Sequence, residues 1–307
     1  MRKFYSIHGK SAIRVRTRPP ARELARSPFF ASIVAVMSDS VPLLVRSGEL
    51  LEALRARAPL VQCLTNTVAE SFTANVLLAV GASPAMIHDP EESAAFAARA
   101  DATLVNVGTL TREQAEAMGG AMVAAHAAHK PWVLDPVGVG GLPFRTKFAR
   151  DAARRFPAMI RGNASEILGL SGAAGGRGVD STATVGDAAD AARALSDAVG
   201  ATVLVTGPDD LVVGPNEPAI LVANGTPMLT RVTGVGCSQG ALCAAFCAVA
   251  DGDFAAAALA AALTMSIAGE LALETASRPG SFQTALLDAL DAISPADILA
   301  RGKVFQG

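Results

Sequence analysis

The chain predicts an α/β fold: a mainly parallel central sheet with helices packed on both faces. Three observations carry this. Short apolar runs alternate with helix-length runs across residues 41–307, the pattern of successive strand–helix units. The apolar runs end repeatedly in Gly, Thr, Asn, Asp or Arg, as strands do when they deliver polar groups to one edge of a sheet. Hydrophobic residues make up 51% of the 307 positions against 18% charged, enough apolar surface for a large core.

Taken in order, Leu43 to Ala58 has helical spacing and stops before Pro59, which disfavours helix at the residue preceding it. Leu60 to Leu64 reads as a buried strand entering Thr65-Asn66-Thr67, and a helix from about Ala69 to Val80 stops at Gly81, a C-terminal cap. Ser83-Pro84-Ala85-Met86-Ile87 follows, then an acidic helix start at Pro90-Glu91-Glu92. Thr103 to Val107 is a strand running into Gly108-Thr109-Leu110 and a helix from near Thr111. Trp132 to Leu134 is a strand ending in Asp135-Pro136, and Met159 to Asn163 is a strand turning into a helix through Glu166. Gly175 to Gly178 reads as a flexible loop, Asp187 to Val199 as a helix and Thr202 to Thr206 as a strand. Leu211 to Val213 and Ile220 to Val222 form a hairpin, and helices fill the remainder.

No stretch between Val41 and the C-terminus has linker composition, so residues 41–307 are expected to form one domain. Residues 1–40 are expected to be a basic, loosely ordered extension; up to Val36 they hold one acid, Glu23, and prolines that prevent a long helix. Such a composition also suits a targeting peptide; the expectation adopted is an upstream extension, with Met37 opening the functional chain. The net charge of −2 leaves no electrostatic footprint for nucleic acid or an anionic membrane. No run of about 20 uninterrupted apolar residues predicts a membrane span; the helices flanking Asp251-Gly252-Asp253 are expected to be buried. Cys63, Cys237, Cys243 and Cys247 show neither disulfide nor zinc spacing, which suits a reducing, cytoplasmic setting.

The chemistry concentrates at the strand ends. Thr230 to Phe246 reads TRVTGVGCSQGALCAAF, a glycine turn opening a small-residue helix. Gly234 and Gly236 let backbone approach a ligand, and the helix start favours an anion and, at Cys237, a thiolate. Asp135 and Glu166 suit a magnesium ion, held by one or two carboxylates with substrate phosphates. Helix capping is the alternative for both, Glu166 lying three residues after Asn163. Arg161 brings a forked phosphate donor. This is the parts list of phosphoryl transfer, without the lysine motif of P-loop enzymes.

Leu64-Thr65-Asn66, FTANVLLAVGASPAM (Phe72 to Met86), NVGTL (Asn106 to Leu110), LDPVGVGGLPFRT (Leu134 to Thr146), RGNASEI (Arg161 to Ile167) and TRVTGVGC (Thr230 to Cys237) together resemble the hydroxyethylthiazole kinases. The resemblance runs from about Leu43 to the C-terminus. It implies a ribokinase-like fold and ATP-dependent phosphorylation of 4-methyl-5-(2-hydroxyethyl)thiazole in thiamine salvage. By the same resemblance Met86, Asn66 and Gly234 would bind the thiazole, Arg161 and Thr206 would contact ATP, and Asp135 and Glu166 would hold Mg²⁺. It also implies a homotrimer with sites between subunits. Gln62 departs from the pattern, where histidine is more usual.

Cys237 is the catalytic candidate, because most ribokinase-like kinases carry aspartate there as base and the thiazole kinases resemble this chain in carrying cysteine. The expectation is a weak or late proton acceptor that orients the alcohol. A pyrimidine kinase or a dehydratase of the same fold would more often carry aspartate there. A silent binding protein would lose Asp135, Glu166 or Arg161, all present.

Overall fold

The computed structural model describes residues 40–172 and 184–306. The basic extension and the Gly175 to Gly178 loop lie outside these residues. Helix α1 (Ser40–Arg57) leads into β1 (Leu60–Leu64), α2 (Glu70–Val80), β2 (Ser83–Ala85), α3 (Pro90–Ala97), β3 (Ala102–Asn106) and α4 (Arg112–Ala127). β4 (Trp132–Asp135), α5 (Pro143–Ala153), β5 (Met159–Asn163), α6 (Ala164–Ser171), α7 (Val185–Val199) and β6 (Thr202–Thr206) continue the alternation. Two antiparallel strands follow, β7 (Asp210–Val213) and β8 (Ile220–Val222), then a 3₁₀ turn at Pro227–Arg231. Helices α8 (Val235–Cys247), α9 (Phe254–Thr275), α10 (Pro279–Ala292) and α11 (Pro295–Arg301) precede a last strand, β9 (Val304–Gln306).

Among the described residues the strands make one nine-stranded sheet in the order β2-β1-β3-β4-β5-β6-β7-β8-β9. Pairings from β2 to β6 are parallel and those from β6 to β9 antiparallel. Two apolar layers cover it. One gathers α1, α2 and α8 to α10 through Leu51, Val76, Phe246, Leu263 and Phe282. The other gathers α4 to α7 through Met118, Ala149, Ile167 and Ala188. The helix α9 is long and apolar enough to cross a membrane, but 83% of its apolar window is buried inside the fold. The apolar stretches flanking Asp251-Gly252-Asp253 are therefore core, as the sequence suggested.

Local chemistry sets the boundaries. Asp89 caps α3 ahead of Pro90, and Thr111 with Gln114 closes a capping box on α4. Gly81 ends α2 in the left-handed region at φ 98°. Three elements escape the sequence reading. β2 forms at an edge despite Pro84, where a missing N–H is tolerated. Pro143 opens α5 at its first turn. Residues 304–306, expected to be helical, add an antiparallel edge strand against β8.

Arg55 ties the two ends of this layer together. Its guanidinium donates to the carbonyls of Leu290, Asp291 and Ile293 at the end of α10, at 3.1, 2.7 and 2.7 Å. These are helix-terminal carbonyls with no partner of their own along the helix. Replacing Arg55 with Met should lower stability by about 2 kcal/mol, read as a lower urea midpoint at unchanged m. Arg55→Lys should recover less than half of that, because one ammonium cannot serve three divergent carbonyls.

Candidate active site

The parallel strands point their carboxyl ends to one edge, and the start of α8 lies across it. Register sets the neighbours: Asn106 at the end of β3 stands beside Asp135 at the end of β4, and Asn163 on β5 stands beside Thr206 on β6. Glycines let α8 approach. A Cβ at Gly240 would lie 3.0 Å from Asp135 Oδ2, and one at Gly236 would lie 3.3 Å from both terminal nitrogens of Arg161. Gly234 begins the helix at φ 90°, a conformation that suits glycine.

A hydrogen-bonded chain joins Cys237 to Asp135. Asn66 Nδ2 donates to Cys237 Sγ at 3.1 Å and to Asn106 Oδ1 at 3.0 Å. Asn106 Nδ2 donates to Asp135 Oδ2 at 2.7 Å. Backbone donors fix both amides: Ala69 N–H bonds Asn66 Oδ1 and Gly108 N–H bonds Asn106 Oδ1, each at 3.0 Å. Because those oxygens are occupied by N–H donors, each amide nitrogen must face the sulfur or the carboxylate.

Asp135 is fully buried, and its Oδ1 has no hydrogen-bond partner among the described residues. The nearest cation is Arg161, whose Nη1 stands 3.8 Å from that oxygen. Burial pushes the Asp135 carboxyl up to about 7 and the Glu166 charge adds to the rise, against the pull of Arg161 and the Asn106 hydrogen bond. Glu166 also rises through burial, opposed by backbone hydrogen bonds and by Arg161 and Arg145. Its Oε2 accepts Asn163 N–H at 2.8 Å and its Oε1 accepts Gly138 N–H at 2.9 Å. Glu166 therefore closes the capping box of α6 and pins the turn after β4. The capping alternative is present in the structure.

Cys237 corrects an expectation. Its position in the first turn of α8 was read as lowering the thiol. Instead burial, and next the Asp135 charge, push it up, outweighing the Asn106 and Asn66 hydrogen bonds and Arg161. The resting group is a neutral thiol.

The remaining predicted residues sort by distance from this cluster. Gly234 joins Asn66 through the start of α2, since a Cβ on it would lie 3.4 Å from Ala69. Met86 is half-buried just beyond β2 and packs against the apolar layer that holds α2 and α8. Thr206 donates weakly to Gly162 O at 3.4 Å. Gln62 is fully buried, and its amide donates to the Ile87 and Ser93 carbonyls, which anchors the Met86 segment. The sequence reading singled out neither Asn106, Gln239 nor Asp210. Gln239 Oε1 accepts from Arg161 Nη2 at 3.0 Å, and Asp210, pushed up to about 6 by burial, accepts Gly207 N–H and faces Gln239. Only the NVGTL segment around Asn106 carried a signal.

Among the described residues no group of three or more His, Cys, Asp or Glu side chains could hold a metal. Asp135 and Glu166 nonetheless fit magnesium, which takes one or two carboxylates and completes its shell with water and phosphate oxygens. The bare, buried Asp135 Oδ1 is the observation that favours it.

A model of the hydroxyethylthiazole kinase family matches residues 51–296. The hydroxyethylthiazole kinase of Kineococcus radiotolerans is 55% identical over 242 residues, covering 78% of this chain and 87% of its own. That of Cronobacter sakazakii is 53% identical over 240 residues, covering 78% and 90%. Among solved structures, a hydroxyethylthiazole kinase protein from Pyrococcus horikoshii OT3 superposes with a TM-score of 0.76 at 37% identity, over 85% of this chain and 98% of that one. Pyridoxal kinase from Staphylococcus aureus in complex with ADP reaches a TM-score of 0.57 at 16% identity over 81% and 99%, a likeness of fold alone. The fold is ribokinase-like and the protein is a kinase; the chain belongs to the hydroxyethylthiazole kinase family.

Proposed function

We propose that the chain moves the γ-phosphoryl group of ATP to the primary alcohol of 4-methyl-5-(2-hydroxyethyl)thiazole, in thiamine salvage. The observation that carries this is the continuous bonded chain from Cys237 through Asn66 and Asn106 to Asp135, with Arg161 beside it at the start of α8. It sets an alcohol-orienting group, an anion-binding helix start and a bare carboxylate oxygen on one strand-end edge. Met86, Asn66 and Gly234 would shape the thiazole pocket, and Arg161 and Thr206 would hold ATP.

Asp135 and Glu166 would hold Mg²⁺, Asp135 through Oδ1 and Glu166 while capping α6. When bound there, magnesium would supply charge neutralisation for the phosphates. Cys237, accepting from Asn66, keeps its own S–H for the pocket and orients the alcohol oxygen by hydrogen bonding. In the transfer the alcohol oxygen bonds to the γ-phosphorus, the bond to the β,γ-bridging oxygen breaks, and ADP leaves. A neutral thiol cannot take the alcohol proton, so it departs on an oxygen of the transferred phosphoryl group. A loose transition state asks little of a base. This replaces the weak-base role expected from sequence.

A homotrimer with sites between neighbouring subunits is part of this reading. The loops after β1 and β4 and the first turn of α5 leave Val68, Leu142 and Phe144 exposed, at 66%, 47% and 50%, apolar groups that a neighbouring subunit would cover.

Incubation with ATP, Mg²⁺ and the thiazole alcohol should give the phosphorylated product by mass spectrometry, with none from the pyrimidine alcohol run in parallel. Cys237→Ala should lower kcat by about ten- to a hundredfold through lost orientation and stay above background. Cys237→Asp should remain active and gain an acidic limb in its pH–rate profile. A drop of both variants to background would defeat the orienting role. Sedimentation should show a single three-chain species, and Val68→Asp should shift it to smaller assemblies; a wild-type monomer would end the trimer reading.

Asp135 also sets a pH dependence. Its folded carboxyl titrates near 7 and an unfolded one near about 3.9, so the folded chain holds the proton more tightly. That contribution to stability is whole below about pH 4 and is lost as pH rises through about 7. Thermal melts of the ligand-free protein should therefore fall between about pH 4 and 7, less steeply in Asp135→Asn. Asp210 shifts in the same direction and should leave a residual slope. Mg·ATP should stabilise more at the upper end of this window, where the carboxylate is ionised; equal slopes in wild type and variant would contradict the assignment.

A further inference from the structure

Arg161 and the turn after β6 belong to neighbouring strands, and buried polar side chains fill the space between them. Arg161 Nη2 donates to Gln239 Oε1 at 3.0 Å. The Gln239 amide faces Asp210, whose Oδ1 accepts Gly207 N–H at 3.0 Å. All three side chains are buried. A guanidinium only donates and a carboxylate only accepts, so Gln239 must turn its oxygen to Arg161 and its nitrogen to Asp210. The bridge is polar in one sense only.

Its effect is on where the guanidinium rests. Arg161 Nη1 stands 3.8 Å from the bare Oδ1 of Asp135. In a buried site attraction between those charges is strong, and an unrestrained arginine would close onto that oxygen. Gln239 holds it off by occupying Nη2, while the Gly236 backbone leaves room at its terminal nitrogens. Asp210 fixes Gln239 and, through Gly207, the Thr206 turn in the same step.

We propose that Gln239 and Asp210 are positioning residues for ATP: they hold the Arg161 fork and the Thr206–Gly207 turn at a fixed separation, so that both reach the same polyphosphate chain. This rests on the reading that Arg161 and Thr206 contact ATP. Neither residue touches the thiazole pocket in this scheme, so the signature is selective for one substrate.

The test is a polarity swap. Asp210→Asn faces the Gln239 nitrogen with a second donor. Gln239→Glu sets two carboxylates against each other. The double variant Asp210→Asn/Gln239→Glu restores one donor facing one acceptor and still leaves an oxygen for Arg161. KM for ATP, KM for the thiazole alcohol and kcat are measured on the full chain, with melts confirming folded protein. Each single variant should raise KM for ATP about tenfold, with KM for the thiazole within about twofold. The double should return KM for ATP to within about threefold of wild type. If Gln239→Glu does not fold, Asp210→Asn and the double carry the same comparison.

The proposal is overturned if the single variants leave KM for ATP unchanged, if the double is as impaired as the product of the singles, or if both KM values rise together. Arg161→Met separates the layers. Raised KM for ATP in Arg161→Met beside unaffected Gln239 and Asp210 variants defeats the positioning role alone. Unchanged KM for ATP in Arg161→Met defeats the ATP reading and the positioning role with it.

Discussion

The site depends on α8 lying within contact of buried charge. A helix carrying ordinary side chains could not do so. At Gly240 even a methyl group would press on Asp135 Oδ2, and at Gly236 it would crowd the Arg161 guanidinium. These glycines cost the helix some intrinsic stability, about 1 kcal/mol each relative to alanine. Burial of the rest of the helix, through Leu242, Ala244, Ala245 and Phe246, offsets that. The helix is thus held by burial along its length while two glycines admit the buried charges.

Once α8 is seated, polarity propagates from the backbone outward. The N–H groups of Ala69 and Gly108 choose the orientation of Asn66 and Asn106. Those amides then present donors to Cys237 and Asp135. Beside them Gly207 N–H bonds Asp210, and Gln239 Oε1 accepts from Arg161. Each functional group is aimed by an amide that has no freedom to flip, which is how a site is held ready for charge that develops only during transfer.

Much of this was readable in the sequence because local rules govern it. The strand–helix alternation, the cap at Gly81 and the hairpin at β7 and β8 follow from propensity and pattern. The edge strands β2 and β9 were not legible, since three residues show no period and form only against an existing neighbour. At the candidate site, Asp135, Arg161 and Cys237 stand out in the sequence at strand ends and at a glycine turn, and the structure brings them together. Gln239 does not stand out, because its partner lies far away in sequence: it meets Arg161 across 78 positions. Glu166 is readable in two ways from sequence, and the structure shows its capping bonds.

The thiol shows why a local rule can lose. A helix start favours an anion by a modest amount that fades within the first turn. Burial beside an unneutralised carboxylate opposes it more strongly, and Asp135 and Glu166 already bring two acidic groups against one deeply buried cation, Arg161. A third carboxylate at position 237 would add like charge where both existing acids are already raised. Cysteine supplies a hydrogen-bonding atom of similar reach without that charge. On the proposed function, a thiol at this position gives up a strong base at the alcohol, which a dissociative transfer can spare, and keeps a lower density of buried negative charge where phosphates would bind.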